Sequence, residues 1–308
     1  MATIGAGKKR RRLSLSRREA MWAYILISPW LIGFVWLTAG PMITSAVFTF
    51  AEYDLLNPLR FIGLANWRYM FTQDPLFWHS LRVTLTFSVV ALPAGLVLGL
   101  ALALLLNAKV PGLTVWRTVY YMPSVVAGVA VAVLWNQVFN PRFGIINWML
   151  SWFGIKGPGW LQSPDWALPA LIIMSLWGVG GGMIIYLAGL QSIPTTLYEA
   201  ATIDGANIWQ RFTRITLPLI TPVIFYNLVI GIIGTFQYFT NAFVMTNGGP
   251  ANATLFYNLY LYNNTFRYQR LGYGSALAWL LLFMVLIMTG LVFRSSSAWV
   301  YYEGELRK

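Results

Sequence analysis

Long apolar runs that contain no charged residue dominate the hydropathy pattern of this chain. They lie between Glu19 and Glu52, Arg82 and Lys109, Arg117 and Arg142, Asp165 and Glu199, Arg214 and Arg267, and Arg270 and Arg294. A helix that crosses a bilayer needs about 20 mostly apolar residues, and each run is long enough. The fifth run is long enough for two helices, but Asn247-Gly248-Gly249-Pro250 interrupts it and polar residues follow. The pattern therefore predicts six membrane-spanning helices.

We place these spans at about 22–43, 83–107, 119–139, 167–190, 219–245 and 275–293. Residues 1–20 form a basic tail, and residues 21–308 form one six-span domain. The aromatic and amphipathic segment 52–75 predicts helices that lie at the outer interface. The outer loop before the fourth span carries four tryptophans, which favour an interface belt over a ligand cage: Trp148, Trp152, Trp160 and Trp166. His79 is expected to be an interfacial residue.

Composition supports a membrane protein, because 58% of residues are hydrophobic and 10% are charged, against roughly 25% charged in a soluble domain. With both termini in the cytoplasm, fourteen of the twenty-one Lys and Arg residues lie inside, as the positive-inside rule requires. The net charge of +12, including the tail at Lys8 to Arg12, is thus a topology signal and not a sign of nucleic-acid binding. The first apolar run is too long for a signal peptide, so we expect an uncleaved span.

The chain lacks the residue patterns of an enzyme. It has no cysteine, which excludes disulfides and thiolate chemistry. A phosphate-binding Gly-rich loop, a cluster of metal ligands and a Ser/His/Asp set are not visible in the sequence. We expect no catalytic residue, metal or cofactor on this chain.

A polar stretch at 191–218 separates the fourth and fifth spans. Pro194 suits the first turn of a helix, Gly205 suits its left-handed end, and Asn207 suits the cap of a second short helix that stops before Pro218. The stretch therefore predicts two helices joined at a glycine elbow. This elbow would present Glu199, Ala200, Ala201 and Asp204 to a partner outside the bilayer. A helix lying on lipid headgroups is the alternative.

The elbow also carries a family resemblance. Its residues reproduce the pattern E-A-A-x3-G-x9-I-x-L-P of the membrane subunits of binding-protein-dependent ABC importers: Glu199, Ala200, Ala201, Gly205, Ile215, Leu217 and Pro218. Segments 140–144, 189–194 and 246–250 extend the resemblance over most of the chain. The chain most resembles the first permease subunit of carbohydrate importers of the maltose and glycerol-phosphate type.

The resemblance implies an all-α integral membrane protein of the type I importer permease fold, with six transmembrane helices and a cytoplasmic coupling-helix elbow. It implies that the motif residues and Asp204 couple the chain to an ATPase. The implied partners are a second, similar permease subunit in a heterodimer, two ATP-binding subunits and an extracytoplasmic solute-binding protein. ATP and Mg²⁺ would bind the ATPase, and the chain would lie in the bacterial inner membrane with both termini in the cytoplasm.

Glycines and polar residues in the fourth and fifth spans suggest where a solute passes. Four glycines within 178–182 weaken a helix by about 1 kcal/mol each, so they serve either close packing or the lining of a path. Gln237 and Asn241 lie four apart and would share one helix face. The candidate substrate residues, to which the maltose-type resemblance adds weight, are Trp177, Gly180, Gly182, Phe236, Gln237, Tyr238 and Asn241.

Two classes of function fit these observations. The first is the permease subunit of an ATP-driven importer for a sugar or oligosaccharide. A variant of this class is an importer of glycerol-3-phosphate or another small polar solute. The predicted spans contain no basic residue, which disfavours a phosphate ligand. The second class is an ion-coupled secondary transporter. Such transporters usually carry ionisable groups within their spans, and the six predicted spans carry none.

Overall fold

The computed structural model describes residues 15–108 and 111–301. The predicted basic tail at Lys8 to Arg12, the inner turn at Lys109 and the last residues of the chain lie outside the described residues. Four described helices are long and apolar enough to cross a membrane, and two further pairs of helices pass the same test but are bent. Counting each bent pair as one span gives six spans, as the sequence predicts.

The helices follow one another with short connections. Their bounds are α1 Leu15–Phe34, α2 Gly40–Phe48, α3 Ala65–Thr72, α4 Pro75–Leu106, α5 Leu113–Val125, α6 Gly128–Val138, α7 Ile145–Trp152, α8 Pro164–Trp177, α9 Gly180–Ser192, α10 Thr195–Ile203, α11 Ile208–Arg211, α12 Leu217–Phe236, α13 Thr240–Met245, α14 Tyr257–Tyr262 and α15 Leu271–Trp299. Single π-helical segments at Val35–Ala39, Phe212–Thr216 and Asn263–Arg267 join or extend neighbouring helices. Strands β1 (Ala51–Glu52) and β2 (Arg60–Phe61) pair antiparallel.

The first span is a helix of 34 residues from Leu15 to Phe48. Neither α1 nor α2 buries a side chain. Only its second half lies against another span, since α2 packs on α15 and the Trp279 Nε1 donates to the Ser45 hydroxyl at 3.1 Å. Most of the apolar surface of this helix is thus open to its surroundings.

Helix α4 is the centre of the bundle, because α8, α9, α12 and α14 all pack against it. It begins at Pro75 and not near residue 83 as predicted, since Asp74 caps it by accepting from the backbone N–H groups of Leu76 and Phe77. One apolar core surrounds Phe87 of α4. A second, smaller core lies around Tyr186 at the elbow end of the bundle.

The third predicted span is not a continuous helix. Helices α5 and α6 meet at an angle of 101°, because Val126 and Ala127 adopt extended backbone with ψ of 136° and 134°. Pro123 in the last turn of α5 removes a backbone donor just before this break. The span predicted over 119–139 is therefore present as two helices with a sharp break between them.

The fourth span is bent by a smaller angle. Helices α8 and α9 meet at 42°, with Gly178 and Val179 between them. This is the position of the glycine cluster, so the glycines coincide with a bend in the backbone. At this bend, the glycine-containing segment 178–182 lies against α4 and α5.

The segment between the first two spans contains the β1–β2 hairpin and α3. The predicted helix is present, but the hairpin was not expected. The loop before the fourth span contains α7, and three of the four tryptophans of this region are exposed, as an interface belt requires. Trp160 differs, because it is 7% exposed and its Nε1 donates to the Asn147 carboxamide at 2.7 Å. Its assignment to the belt is wrong.

Candidate functional site: an exposed elbow and a membrane cavity

The elbow consists of α10, a glycine turn and α11. Gly205 has a φ of +73°, the left-handed region that glycine adopts without strain. Its N–H donates to the Thr202 carbonyl, and the Ala206 N–H donates to the Ala201 carbonyl. This pair of bonds is the Schellman motif that ends a helix, so the prediction for Gly205 is confirmed.

A capping box starts the second elbow helix. The Asn207 side chain accepts from the Gln210 N–H at 2.8 Å, and the Gln210 side chain accepts from the Asn207 N–H at 2.9 Å. The prediction of a cap at Asn207 is therefore confirmed. Reciprocal caps of this kind satisfy two backbone groups that a helix start otherwise leaves unpaired.

The expected stop of this helix before Pro218 is wrong. From Arg211 the chain continues through the π-helical segment into α12, and after a short break α13 completes the span from Ile208 to Met245. In the π-helical segment the Leu217 N–H donates to the Phe212 carbonyl, five residues earlier. Pro218 lies in the first turn of α12 and does not end the helix. The wider π-helical turn comes just before this residue, which has no backbone N–H to donate. The elbow is thus rigidly continuous with the fifth span.

Two side-chain contacts attach α10 to the start of that span. The hydroxyls of Tyr198 and Thr216 lie 2.9 Å apart. The Arg211 guanidinium donates to the Thr202 hydroxyl at 3.2 Å. These two contacts connect α10 to the start of the fifth span.

The tip of the elbow is open to solvent. Glu199, Ala200, Asp204 and Gly205 are exposed, and Ala201 is half-buried. Large apolar side chains are exposed beside them, with Ile203 at 87%, Ile208 at 79% and Trp209 at 70%. Exposed apolar side chains next to carboxylates are typical of a surface that docks a protein partner.

Three motif residues lie at the root of the elbow and not at its tip. Ile215, Leu217 and Pro218 are half-buried, and Ile215 packs against the smaller core. These residues anchor the elbow to the bundle, whereas Glu199 and Asp204 face outward. The motif thus combines an exposed tip with a half-buried base.

A cavity of about 400 Å³ lies among α4, α8, α9 and α12. Its apolar walls include Phe87, Leu92 and Leu96. Small residues widen it, namely Ala91, Gly95, Gly178, Gly182, Gly231 and Gly234. Its polar lining is Ser175, Tyr186, Asn227, Thr235 and Tyr238, and no charged residue lines it. Its volume falls within the range of small-ligand sites, about 300 to 1,000 Å³.

Two tyrosines contribute their rings to this lining. The hydroxyls of Tyr186 and Tyr238 are fully enclosed and make no hydrogen bond of standard geometry among the described residues, and the Asn241 side chain lies next to the Tyr238 hydroxyl. The Tyr238 ring is held between Phe87 and Phe256, with centroid distances of 4.5 and 4.8 Å. The lining thus combines aromatic rings with the polar side chains of Ser175, Asn227 and Thr235.

Asn227 extends the polar wall. Its Nδ2 donates to the Val223 carbonyl at 2.9 Å, which fixes the carboxamide and points its oxygen away from that bond. A Cβ at Gly182 would lie 3.1 Å from the Asn227 Oδ1, so the glycine leaves room for this oxygen.

Of the seven predicted substrate residues, the structure places Gly182 and Tyr238 in the cavity wall. Phe236 is buried in the larger core. Gly180 packs against α5, where a Cβ would lie 2.1 Å from the Tyr120 carbonyl oxygen. The Trp177 ring lies 6.0 Å from that of Trp135, outside the cavity lining. The glycine cluster therefore serves both packing and lining.

Gln237 and Asn241 do not share a helix face. Helix α12 ends at Phe236 and α13 begins at Thr240, so the spacing of four does not fall on one helix. Gln237 is exposed, and its carbonyl accepts from the Asn258 Nδ2 at 3.1 Å. The Asn241 Oδ1 is buried without a partner among the described residues and lies outside the cavity lining.

The sequence prediction missed most of the cavity wall. Asn227 is the exception, because an amide in an apolar span is expected to face the bundle interior or a wet cavity, and it lines this cavity. Gly231 and Gly234 follow it on α12 at steps of four and three, which places all three near one face of the helix. That spacing of small and polar residues was the available signal.

Comparison with known proteins agrees with these features. Residues 95–299 match the family described as binding-protein-dependent transport system inner membrane component. The chain is 42% identical over 99% of both chains to the probable ABC transporter permease protein YesP of Bacillus subtilis. It is 35% identical to the trehalose/maltose transport system permease protein MalF of Thermococcus litoralis, with 89% of this chain and 93% of the relative covered.

A solved structure shows the same fold. A chain of a bacterial alginate ABC transporter, in complex with an alginate pentasaccharide-bound periplasmic protein, superposes with a TM-score of 0.81. The match covers 93% of this chain and 97% of the other at 28% identity. The exposed elbow, the six spans and these likenesses lead to one conclusion: the chain belongs to the family of inner membrane components of binding-protein-dependent transport systems.

Proposed function

We propose that this chain is a permease subunit of an ATP-driven importer that moves a neutral saccharide into the cytoplasm. The observation that carries the proposal is the elbow, which is exposed at its tip and continuous at its root with a span that lines the cavity. Such an element transmits movement from a partner outside the bilayer to the walls of a path. ATP and Mg²⁺ bind the ATPase chains in this proposal, and this chain carries no catalytic residue.

The nature of the cavity supports a saccharide. Its lining combines the hydroxyl-bearing side chains Ser175 and Thr235, the Asn227 carboxamide and aromatic rings, which are the groups that bind sugar hydroxyls and the apolar faces of sugar rings. The lining contains no charged residue, so a phosphorylated or acidic solute would find no countercharge. Relatives named for trehalose, maltose and lactose transport point the same way. The substrate contacts we propose are Gly182, Tyr238 and Asn227.

The proposed assembly contains a second, similar permease, two ATP-binding subunits and an extracytoplasmic binding protein. The alginate importer whose fold this chain shares was solved with a periplasmic protein that carries a saccharide. In this arrangement both termini face the cytoplasm, residues 1–20 form its basic tail and residues 21–308 form the six-span domain. The binding protein delivers the sugar to the outer loops. ATP binding then moves the elbows, and the path opens alternately to each side.

The elbow is tested by changing its tip. Glu199→Lys reverses a charge at the docking surface, and Gly205→Pro replaces a residue at φ +73° by one fixed near −65°. Both variants should insert normally but lose at least about tenfold in uptake, because ATP hydrolysis is no longer coupled to transport. Uptake and ATP hydrolysis are measured together on the reconstituted transporter.

Glu19→Lys is the matched control, because it makes the same charge reversal on an exposed residue at the same end of the bundle. It should transport normally. Full uptake by both elbow variants would refute the docking role. Purification of the chain with no ATPase, together with ion-driven uptake, would favour a secondary transporter instead.

The cavity is tested by removing one hydroxyl. Tyr238→Phe should leave folding intact, because this hydroxyl makes no hydrogen bond of standard geometry among the described residues. It should reduce sugar uptake by about three- to tenfold, the effect of one lost hydrogen bond of about 1 kcal/mol. Tyr226→Phe is the matched control, since Tyr226 is 51% exposed on the same helix. Unchanged uptake and apparent affinity in Tyr238→Phe would remove this cavity from the path.

A further inference from the structure

The outer loop between α6 and α8 carries two cations that the proposed function does not use. Arg142 and Lys156 lie in segment 140–163, which contains no acidic residue. The segment precedes the fourth span and the elbow follows that span, so the loop and the elbow lie at opposite ends of the bundle. Membrane proteins usually carry fewer Lys and Arg residues in loops outside the cytoplasm than in loops inside it. Two cations in this one loop therefore need an explanation.

The two cations line a common cavity. It has a volume of about 830 Å³, and its walls include Arg142, Lys156, Phe143, Trp148 and Ser151. No acidic side chain lines it. The cavity is therefore electropositive and bordered by aromatic rings.

The loop around this cavity is built to a fixed shape. The Asn147 Nδ2 donates to the carbonyls of Pro141 and Pro158 at 3.2 and 3.1 Å, and its Oδ1 accepts from Trp160. All the main hydrogen-bonding groups of this carboxamide are thus used to join the two sides of the loop. A Cβ at Gly157 would lie 2.0 Å from the Asn147 Oδ1. Glycine at 157 therefore lets the chain pass close enough to bring Lys156 to the cavity.

Helix α7 gives the same loop an apolar outer face. Ile145, Trp148, Met149 and Trp152 recur at steps of three and four, and their exposures are 52%, 54%, 49% and 65%. The opposite face packs on the larger core through Ile146 and Leu150. The Trp148 and Trp152 rings contact each other at 4.3 Å. The helix thus shows a continuous apolar stripe away from the protein.

We propose that α7 lies in the outer interface of the membrane and that Arg142 and Lys156 bind the phosphate of an anionic phospholipid. An exposed apolar stripe with tryptophans and adjacent cations is the pattern of a helix that lies in the headgroup region. The stripe contacts acyl chains, and the cavity beside it receives the headgroup. The electropositive lining matches the charge of the phosphate. The proposed sugar path plays no part in this inference.

The experiment measures phosphatidylglycerol binding to the full-length chain in the complex in which it is purified, with phosphatidylcholine as the neutral lipid. Native mass spectrometry gives the apparent affinity. The parent protein should retain phosphatidylglycerol in preference to phosphatidylcholine. The double variant Arg142→Gln/Lys156→Gln should bind phosphatidylglycerol about 30-fold more weakly, which corresponds to about 1 kcal/mol for each cation near a lipid surface.

Arg68→Gln/Arg267→Gln is the matched control, because it removes two exposed cations from the same side of the bundle. It should keep the parent's affinity. An equal loss in the control would show that only total charge matters and would overturn the proposal. Displacement of the lipid by glycerol phosphate at equal concentration would identify a site for soluble anions and would also overturn it.

A second measurement reports on the apolar stripe. Brominated phosphatidylglycerol quenches tryptophan fluorescence on contact, and the quenched fraction should fall in Trp148→Phe/Trp152→Phe relative to the parent. If the quenched fraction is the same in both proteins, the stripe is covered by another protein chain. That result would refute the lipid assignment.

Discussion

Asp74 is the residue that joins most elements at the outer end of the bundle. Its carboxylate is 4% exposed. One oxygen caps α4, and the other accepts from the hydroxyls of Tyr260 and Tyr273. Burial raises the pKa of Tyr260, and its hydrogen bond to Asp74 adds to the effect, so this hydroxyl remains a donor at neutral pH. A single side chain thus links the second span, α14 and the sixth span.

Asp74→Asn should destabilise the protein by about 2 to 3 kcal/mol. The amide nitrogen that replaces one oxygen cannot accept from the two tyrosine hydroxyls, and hydrogen bonds to a charged acceptor are the stronger ones. The loss is measured from denaturant unfolding in detergent.

Asp54→Asn is the control, because Asp54 makes the same kind of cap in an exposed turn. The backbone N–H of Asn57 holds the pKa of Asp54 below its ordinary value, and an asparagine oxygen can replace that acceptor. This variant should leave the denaturant midpoint unchanged, because substitutions at exposed positions have small effects. In Asp74→Asn, adding Tyr273→Phe should cost less than the sum of the two single changes. Additive losses would contradict a shared network.

Helix breaks and close contacts decide how the elements of this protein pack. Gly180 starts α9 at the point where that helix crosses α5. A Cβ at Gly180 would lie 2.1 Å from the Tyr120 carbonyl oxygen, whereas one at the next residue, Gly181, would lie 3.6 Å from the Ser124 Cβ. The first distance is far below van der Waals contact and involves backbone that cannot move aside alone.

Gly180→Ala should therefore destabilise the protein by about 1 to 3 kcal/mol, as overpacking does. Gly181→Ala should be neutral or slightly stabilising, because alanine is the better helix former. The thermal midpoints of both variants in detergent provide the measurement. Equal midpoints would show that α5 and α9 do not pack as described here.

The hydropathy pattern was sufficient to predict the spans but not their breaks. Pro29, Pro93, Pro169 and Pro222 all lie inside helices that continue past them, whereas the chain breaks shortly after Pro123. All of these helices contain a proline, so the residue type alone does not distinguish a helix that continues from one that ends. The packing of neighbouring helices decides which of the two occurs. The hydropathy pattern does not show the break at Gln237 either. Gln237 and Asn241 were therefore predicted to share one helix face.

The elbow could be predicted closely because its signals are local. A glycine end and an asparagine cap depend on neighbours in sequence, and Gly205 and Asn207 do what their residue types indicate. The cavity depends on residues brought together from four helices. Of its wall, the sequence indicated Gly182 and Tyr238 as substrate residues, and Asn227 only as a polar residue that faces the bundle interior or a wet cavity.

At the scale of the whole molecule, each end of the bundle has its own surface. The elbow end presents carboxylates and apolar side chains, and the opposite end presents the hairpin, α3 and the cationic loop with α7. The cavity lies between them, against the central helix α4. In the functions proposed above, the elbow end meets the ATPase, and the opposite end meets lipid and the delivered solute.

The first helix stands apart from this arrangement. Because α1 buries none of its side chains, the packing of this chain places little restriction on which apolar residues it contains. Selection on that helix must then come from whatever surrounds it. Where lipid surrounds α1, one apolar residue of this helix can replace another freely during evolution. Where another polypeptide surrounds it, substitutions in α1 should co-vary with substitutions in that chain.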